Sequence, residues 1–98
     1  SARETLEIAT LGGAKVLGRD DCGSIEVGKR ADIAIWDLNN VQAAGNWDPV
    51  AALVLTGPHQ VKDLFVEGRQ IVRDGQLTSI DLRPAIENHN KLALTLLS

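Results

Sequence analysis

The chain has 98 residues, 44% hydrophobic and 23% charged, which suits one globular domain with a modest core. Its net charge is −3 and its ten basic residues form no run, so nucleic-acid binding is not expected, because phosphate contacts need clustered Lys and Arg. The single cysteine, Cys22, excludes an intrachain disulfide and a cysteine metal cluster.

The sequence also lacks the signals of a membrane or secreted protein. No apolar run approaches the roughly 20 residues that a membrane span requires, and the N-terminal residues lack the apolar core of a signal peptide. We therefore predict a cytoplasmic protein without membrane contact. Because the chain does not begin with Met, we expect Ser1 to mark a boundary rather than a translation start.

The first element is a predicted helix over residues 2–17. Apolar residues recur there at three- and four-residue steps, and Gly18 is a natural C-terminal cap. Gly12 and Gly13 interrupt the pattern, and each weakens a helix by about 1 kcal/mol relative to Ala. The glycine pair predicts that another backbone packs closely on this face, whether from this chain or from elsewhere.

The segment 23–38 is predicted to be structural β-framework. Residues 23–27 alternate as a short strand, residues 28–30 form a turn, and residues 32–38 are the clearest strand in the chain. Ala34, Trp36 and Leu38 lie on one face of that strand, with Ile33 and Ile35 on the other. Since both faces are apolar, we expect the strand to be covered on both sides.

The remaining elements are a loop, a hairpin and a helix. Residues 39–49 have loop composition, and residues 50–55 fit either a helical turn or a strand, which periodicity alone cannot separate. Residues 61–66 and 70–73 predict a hairpin around Glu67-Gly68, with a further turn before residues 76–77. Residues 79–81 are expected to cap a final helix with Pro84 in its first turn. This order closes no barrel and leaves a sheet edge and a helix face without partners.

The two histidines do not form a metal-binding pattern. His59 and His89 are thirty positions apart, whereas metal sites need three or four converging ligands and commonly contain a close histidine pair. We predict that both are surface residues, with a role near an interface left open for His59. A small enzyme that uses His59 with Asp20 or Asp21 is a third hypothesis, and it requires these groups to converge.

Other reactive residue types also lack the context that catalysis needs. Asp20 and Asp21 predict a solvated loop, because adjacent carboxylates diverge and no third one joins them. Cys22 is predicted to be a structural thiol without a nearby base. Neither Ser24 nor Thr10 lies in a nucleophile elbow.

The remaining candidates are given structural roles. Gly28, Lys29 and Arg30 predict a turn with two exposed cations, because no phosphate-binding glycine motif is present. Asp32 is predicted to accept hydrogen bonds from backbone N–H groups or Arg. Trp36 is predicted to fill the core, whereas Trp47 could form a lid or pack on a neighbouring domain.

Longer stretches of the sequence resemble one enzyme superfamily. Residues 9–18 (ATLGGAKVLG), followed by residues 23–32 (GSIEVGKRAD), resemble the C-terminal region of metal-dependent amidohydrolases, in the branch of cytosine deaminases, guanine deaminases and chlorohydrolases. Residues 61–75 (VKDLFVEGRQIVRDG) resemble the closing hairpin of that family. Residues 53–58 and 80–82 look most like those of 8-oxoguanine deaminases.

The resemblance implies an α+β fragment of a larger enzyme. Residues 1–18 would be the last helix of a (β/α)8 barrel, residues 19–78 the C-terminal strands of a composite β-sandwich, and residues 79–98 a terminal helix. The resemblance also implies that the metal ligands of the family lie upstream of Ser1, so we assign no catalytic, cofactor-binding or metal-binding residue to this chain.

Two hypotheses of different classes follow from these expectations. The first is the non-catalytic C-terminal portion of an amidohydrolase that acts on a purine or another heterocycle. Its partners would be the barrel and N-terminal strands of the same enzyme and, in a homo-oligomer, further subunits. The resemblance implies zinc or iron for that parent enzyme. The alternative is a free-standing β-sandwich module that self-associates or complements a separate barrel chain.

Overall fold

The structure is a computed structural model that describes residues 1–97. Short helices flank a four-stranded antiparallel sheet with the strand order β1-β2-β3-β4. The elements in chain order are α1 (Ala2–Glu7), a π-helical turn (Ile8–Gly12), α2 (Gly13–Val16), β1 (Ile33–Ile35), α3 (Pro49–Leu55), β2 (Asp63–Val66), β3 (Arg69–Arg73), β4 (Gln76–Leu77) and α4 (Leu82–Thr95). This α+β arrangement confirms the predicted class, and Ser98 of the predicted last segment lies outside the described residues.

The predicted N-terminal helix is confirmed, with a distortion at its glycines. Ser1 caps α1 by accepting the N–H of Glu4 at 3.3 Å, and the Glu4 side chain bonds back to the cap. The helix widens into the π-helical turn that ends at Gly12 and continues as α2. Gly18 ends it with φ +72°, a conformation that glycine adopts at little energetic cost.

The two predicted tight turns of the sheet are also confirmed. Glu67 and Gly68 have φ of 51° and 77°, as the two central residues of a type I′ hairpin turn require. The same geometry recurs at Asp74 (φ 49°) and Gly75 (φ 76°), which join β3 to β4. A bulge shifts the register of β2 and β3 at Leu64/Phe65.

The structure resolves the ambiguity of residues 50–55 as a helix. Asp48 caps α3 by accepting the N–H of Val50 at 3.0 Å, and Pro49 stands at its first position, where no N–H is needed. This helix packs against α1 and buries Ala52.

The predicted final helix begins as expected. Asp81 accepts the N–H of Arg83 at 3.1 Å, and Pro84 lies in the first turn. Every residue of α4 is exposed, including its apolar ones. Within residues 1–97 no helix combines the length and the apolar character that a membrane crossing requires.

The strand predicted over residues 23–27 is wrong. These residues form a loop, in which Lys29 N–H bonds to Glu26 O (3.1 Å) and Arg30 N–H bonds to Asp21 O (2.8 Å). The alternating side chains of Ile25 and Val27 both lie in solvent. A strand needs a neighbour for its backbone groups, and no strand within residues 1–97 pairs with this segment.

The strand predicted over residues 32–38 is present only as Ile33–Ile35, and its faces are not covered. Ile35 is 44% exposed and Trp36 is 38% exposed. The prediction that Trp36 fills the core is therefore wrong for the described chain. An apolar strand of this kind is stable in water only when other surfaces cover it.

The described chain is more extended than a compact domain of its length. Its radius of gyration is 17.3 Å, whereas a compact chain of this length has about 13 Å. Its accessible surface is 7968 Å², compared with roughly 5,400 Å² for a compact monomer of this size. The buried hydrophobic residues among those described are Ala14, Ala43, Ala52 and Val72.

Candidate functional site

One feature of the described residues is an apolar groove of about 400 Å³ that we call the β1 groove. It lies between the first helix, the loop after it, strand β1 and α3. Its lining residues are Leu6, Thr10, Gly23, Ser24, Ile25, Asp32, Ile33, Ala34, Trp36 and Leu53. The sequence did not reveal this groove, because it is formed by segments that are distant along the chain.

The polar side chains of the β1 groove are already engaged. Thr10 Oγ1 donates to Leu6 O at 2.8 Å, and Ser24 Oγ donates to the Glu26 carboxylate at 2.5 Å. Asp32 Oδ1 accepts the N–H of Glu67 at 2.8 Å. The Ser24 hydroxyl meets a carboxylate, but Glu26 also pairs with Lys29 at 2.9 Å and these contacts lower its pKa, which leaves Glu26 a weak general base for activating Ser24. The polar groups of the groove are therefore used in contacts within the chain, and the rest of its lining is apolar.

The backbone of β1 presents an open edge to this groove. On its β2 side, Ile35 O accepts the N–H of Lys62 (2.9 Å) and Ala31 O accepts the N–H of Gly68 (3.0 Å). Because alternate residues of a strand direct their backbone groups to opposite edges, the N–H and C=O of Ala34 face away from β2. β1 is an edge strand of the sheet within residues 1–97.

Gly23 allows the loop to approach the first helix closely. A Cβ atom at this position would lie 3.0 Å from Thr10 O, 3.1 Å from Leu11 Cα and 3.2 Å from Ala14 Cβ. The described residues bring no other backbone against Gly12 or Gly13, where such packing was predicted; the close approach on this helix is at Thr10, Leu11 and Ala14. The described residues leave the space beside Gly13 open.

An ion-pair cluster holds the loop that contains Gly23. Asp21 accepts two hydrogen bonds from Arg19 (3.0 and 3.2 Å) and a third from Arg30. Arg30 also pairs with the side chain of Glu67 in the β2–β3 turn, and the backbone N–H of the same Glu67 donates to Asp32. The prediction that Asp32 accepts a backbone hydrogen bond is confirmed. The sequence analysis missed the role of Asp21, although two arginines close in sequence were available as a signal.

Hydrogen bonds from Arg19 and then Arg30 hold the pKa of the Asp21 carboxyl well below its usual range. A carboxyl whose pKa is lower in the folded state stabilises the fold above its unfolded pKa, which is about 3.9. This contribution is lost as the pH falls through the lower, folded-state pKa. The cluster therefore stabilises the attachment of the loop at neutral pH, and this stabilisation is lost in acid.

We expect Asp21→Asn to lower the melting temperature of the whole protein that contains these residues at pH 7 and to have a smaller effect in acid. The difference in melting temperature between the variant and the wild type should be constant above about pH 5. It should shrink below about pH 4, because the wild-type carboxylate is then being protonated. Thermal unfolding between pH 7 and pH 2 measures this. Asp20→Asn changes the same charge one residue away and serves as the control. Indistinguishable profiles for the two variants would contradict the assignment.

The turn at residues 28–30 is present, but of the two cations that were predicted to be exposed, Arg30 is exposed and Lys29 is not. Gly28 has φ +89°. Lys29 is half-buried, donates to Ser24 Oγ at 2.7 Å and pairs with Glu26 at 2.9 Å. Hydrogen bonds from Ser24 and then Lys29 lower the pKa of Glu26. This group is a small structural network, since each of its members already has a partner.

The two histidines differ in their surroundings. His89 is exposed, as predicted, whereas His59 is half-buried with Nε2 2.8 Å from Thr56 Oγ1. Because the Thr56 hydroxyl donates its hydrogen to Ala52 O (2.5 Å), it accepts from His59, which fixes the protonated nitrogen as Nε2. His59 thereby secures the C-terminal end of α3. Its hydrogen-bond partner is Thr56, and those of Asp21 are arginines, so these contacts do not support a His59–Asp21 pair.

The side chains present do not suit a catalytic metal. Within residues 1–97 no three His, Cys, Asp or Glu side chains are grouped closely enough to hold an ion. Cys22 is a half-buried free thiol, and Trp47 is fully exposed.

Comparisons with known proteins identify the family. Residues 1–71 match the model of the amidohydrolase family. The chain is 36% identical over 90 residues to 8-oxoguanine deaminase of Pseudomonas aeruginosa. The alignment covers 92% of this chain and 20% of that protein.

Solved structures of related enzymes resemble this chain along most of its length. Atrazine chlorohydrolase from Arthrobacter aurescens TC1, solved with zinc, superposes with a TM-score of 0.82 at 39% identity, covering 94% of this chain and 20% of the other. An adenosine deaminase from Xanthomonas campestris with bound zinc gives a TM-score of 0.81 at 34% identity over 93% of this chain and 21% of the other.

The chain thus spans about a fifth of the length of these relatives. Their names are those of whole enzymes, which gives no support to the alternative of a free-standing module. The match extends over most of the chain, and the resemblance noted in residues 9–32 and 61–75 is confirmed. By its sequence and its fold, the chain belongs to the amidohydrolase family.

Proposed function

We propose that this chain is the non-catalytic C-terminal portion of a metal-dependent amidohydrolase that deaminates a purine or a related heterocycle. The observation that carries the proposal is a match along at least 92% of this chain to enzymes of which it covers about a fifth. Two of the three relatives are named deaminases of purine compounds, and two were solved with zinc. We place the substrate and the metal in the part of the protein outside residues 1–98.

The donor groups of this chain support that division of labour. The half-buried His59 donates its Nε2 hydrogen to Thr56, and the Asp21 carboxylate forms ion pairs with two arginines. A hydrolytic zinc site needs three protein ligands around an open position, and no such grouping occurs within residues 1–97. The residues here therefore do not fit the metal that the family implies. Their role in our proposal is to support the fold.

We assign each part of the chain a place in the whole enzyme. Residues 1–18 would form the last barrel helix, with the open space beside Gly13 directed at the barrel. Residues 19–78 would supply the C-terminal strands of the sandwich, and residues 79–98 the terminal helix. The support for this assignment is the exposed apolar surface of each part, including Ile8 on the first helix, Trp36 beside β1 and Ile86 on α4.

The β1 groove is the site where this proposal is most specific. Strand addition needs an edge with free backbone groups and apolar pockets for alternate side chains. The edge is provided at Ala34, and the pockets are bounded by Leu6, Ile33, Trp36 and Leu53. We propose that an extended segment from outside residues 1–98 of the same polypeptide pairs with β1 there. This pairing would cover the exposed side of Trp36.

An activity assay tests the proposed function. The whole protein that contains these residues would be purified and assayed for ammonia release from 8-oxoguanine, guanine, adenosine and cytosine. We expect turnover of at least one of these compounds, its loss on treatment with a chelator, and its recovery with zinc. A separately produced chain of residues 1–98 should bind no stoichiometric zinc and release no ammonia. Turnover by that short chain, or a whole protein inactive on all four compounds, would overturn the proposal.

A further inference from the structure

We draw no further inference here: the strongest candidate, the exposed apolar stripe of α4 that Leu82, Ile86 and Leu92 form, has no partner among residues 1–97, and nothing in the structure shows what covers it.

Discussion

The isolated chain of residues 1–98 is expected to unfold without a cooperative transition. Fixing the backbone of one residue costs about 1–2 kcal/mol in conformational entropy, and buried apolar area must offset this cost. Three of the four buried hydrophobic residues are alanines, whose side chains remove little area from water. The surface left exposed exceeds that of a compact monomer by roughly 2,500 Å². Local helices and the β2–β3 hairpin can form transiently, but no shared core links them.

Calorimetry combined with near-ultraviolet circular dichroism measures this. The isolated chain should show a broad, nearly linear melt, no fixed signal from Trp36, and binding of a dye specific for exposed apolar surface. The whole protein, assayed in parallel, should melt cooperatively. A sharp transition of the isolated chain, with equal calorimetric and van't Hoff enthalpies, would show that residues 1–98 fold on their own.

The second large effect is expected at Gly23 in the whole protein. We predict that Gly23→Ala lowers the free energy of unfolding by about 2–5 kcal/mol, since it combines backbone strain with overpacking. The strain arises because φ is +94°, and the overpacking arises because the new Cβ would lie 3.0–3.2 Å from atoms of Thr10, Leu11 and Ala14. Two of these three atoms are backbone atoms, so the helix cannot relieve the contact by changing a rotamer.

Gly28 provides a matched control for this experiment. Its φ of +89° is close to that of Gly23, but a Cβ atom added to Gly28 would have no contact within 4 Å beyond its chain neighbours. Gly28→Ala should therefore lower the free energy of unfolding only through backbone strain, by about 1–2 kcal/mol. Urea unfolding of both variants measures the difference. Equal losses would mean that the contact with the first helix contributes nothing.

Elements whose signals are local in sequence could be predicted. Both turns of the sheet contain a glycine that accepts a left-handed conformation, Gly68 and Gly75, and Asp74-Gly75 is a pair typical of tight hairpins. The final helix carries its own cap at Asp81. In these cases a few neighbouring residues determine the backbone conformation.

Predictions that depend on distant partners failed. Residues 23–27 alternate like a strand, yet the described chain offers no neighbour for their backbone groups. Strand β1 is apolar on both faces, yet Ile35 and Trp36 remain exposed. An apolar pattern of this kind predicts that the side chains are buried, but it does not identify the segment that covers them. This is the pattern expected of a chain whose apolar surfaces are covered by residues outside it.

The arrangement of the polar residues could be predicted only in part. The backbone hydrogen bond to Asp32 was expected from its position at the start of an apolar strand, and it is present. The cluster around Asp21 was missed, because Arg19 and Arg30 meet there only once the loop has folded back. Similarly, the described residues do not provide the backbone packing predicted at Gly12 and Gly13, and the close contact at Gly23 was not predicted.

Hydrogen exchange at Ala34 in the whole protein tests the central claim most directly. If an extended segment from the rest of the polypeptide pairs with β1, the Ala34 amide should be protected as strongly as that of Ile33, which pairs with Phe65 inside the sheet. Ile33 therefore serves as the internal reference. Strong protection at both amides would support completion of the sheet by the rest of the enzyme. Rapid exchange at Ala34 beside a protected Ile33 would contradict it.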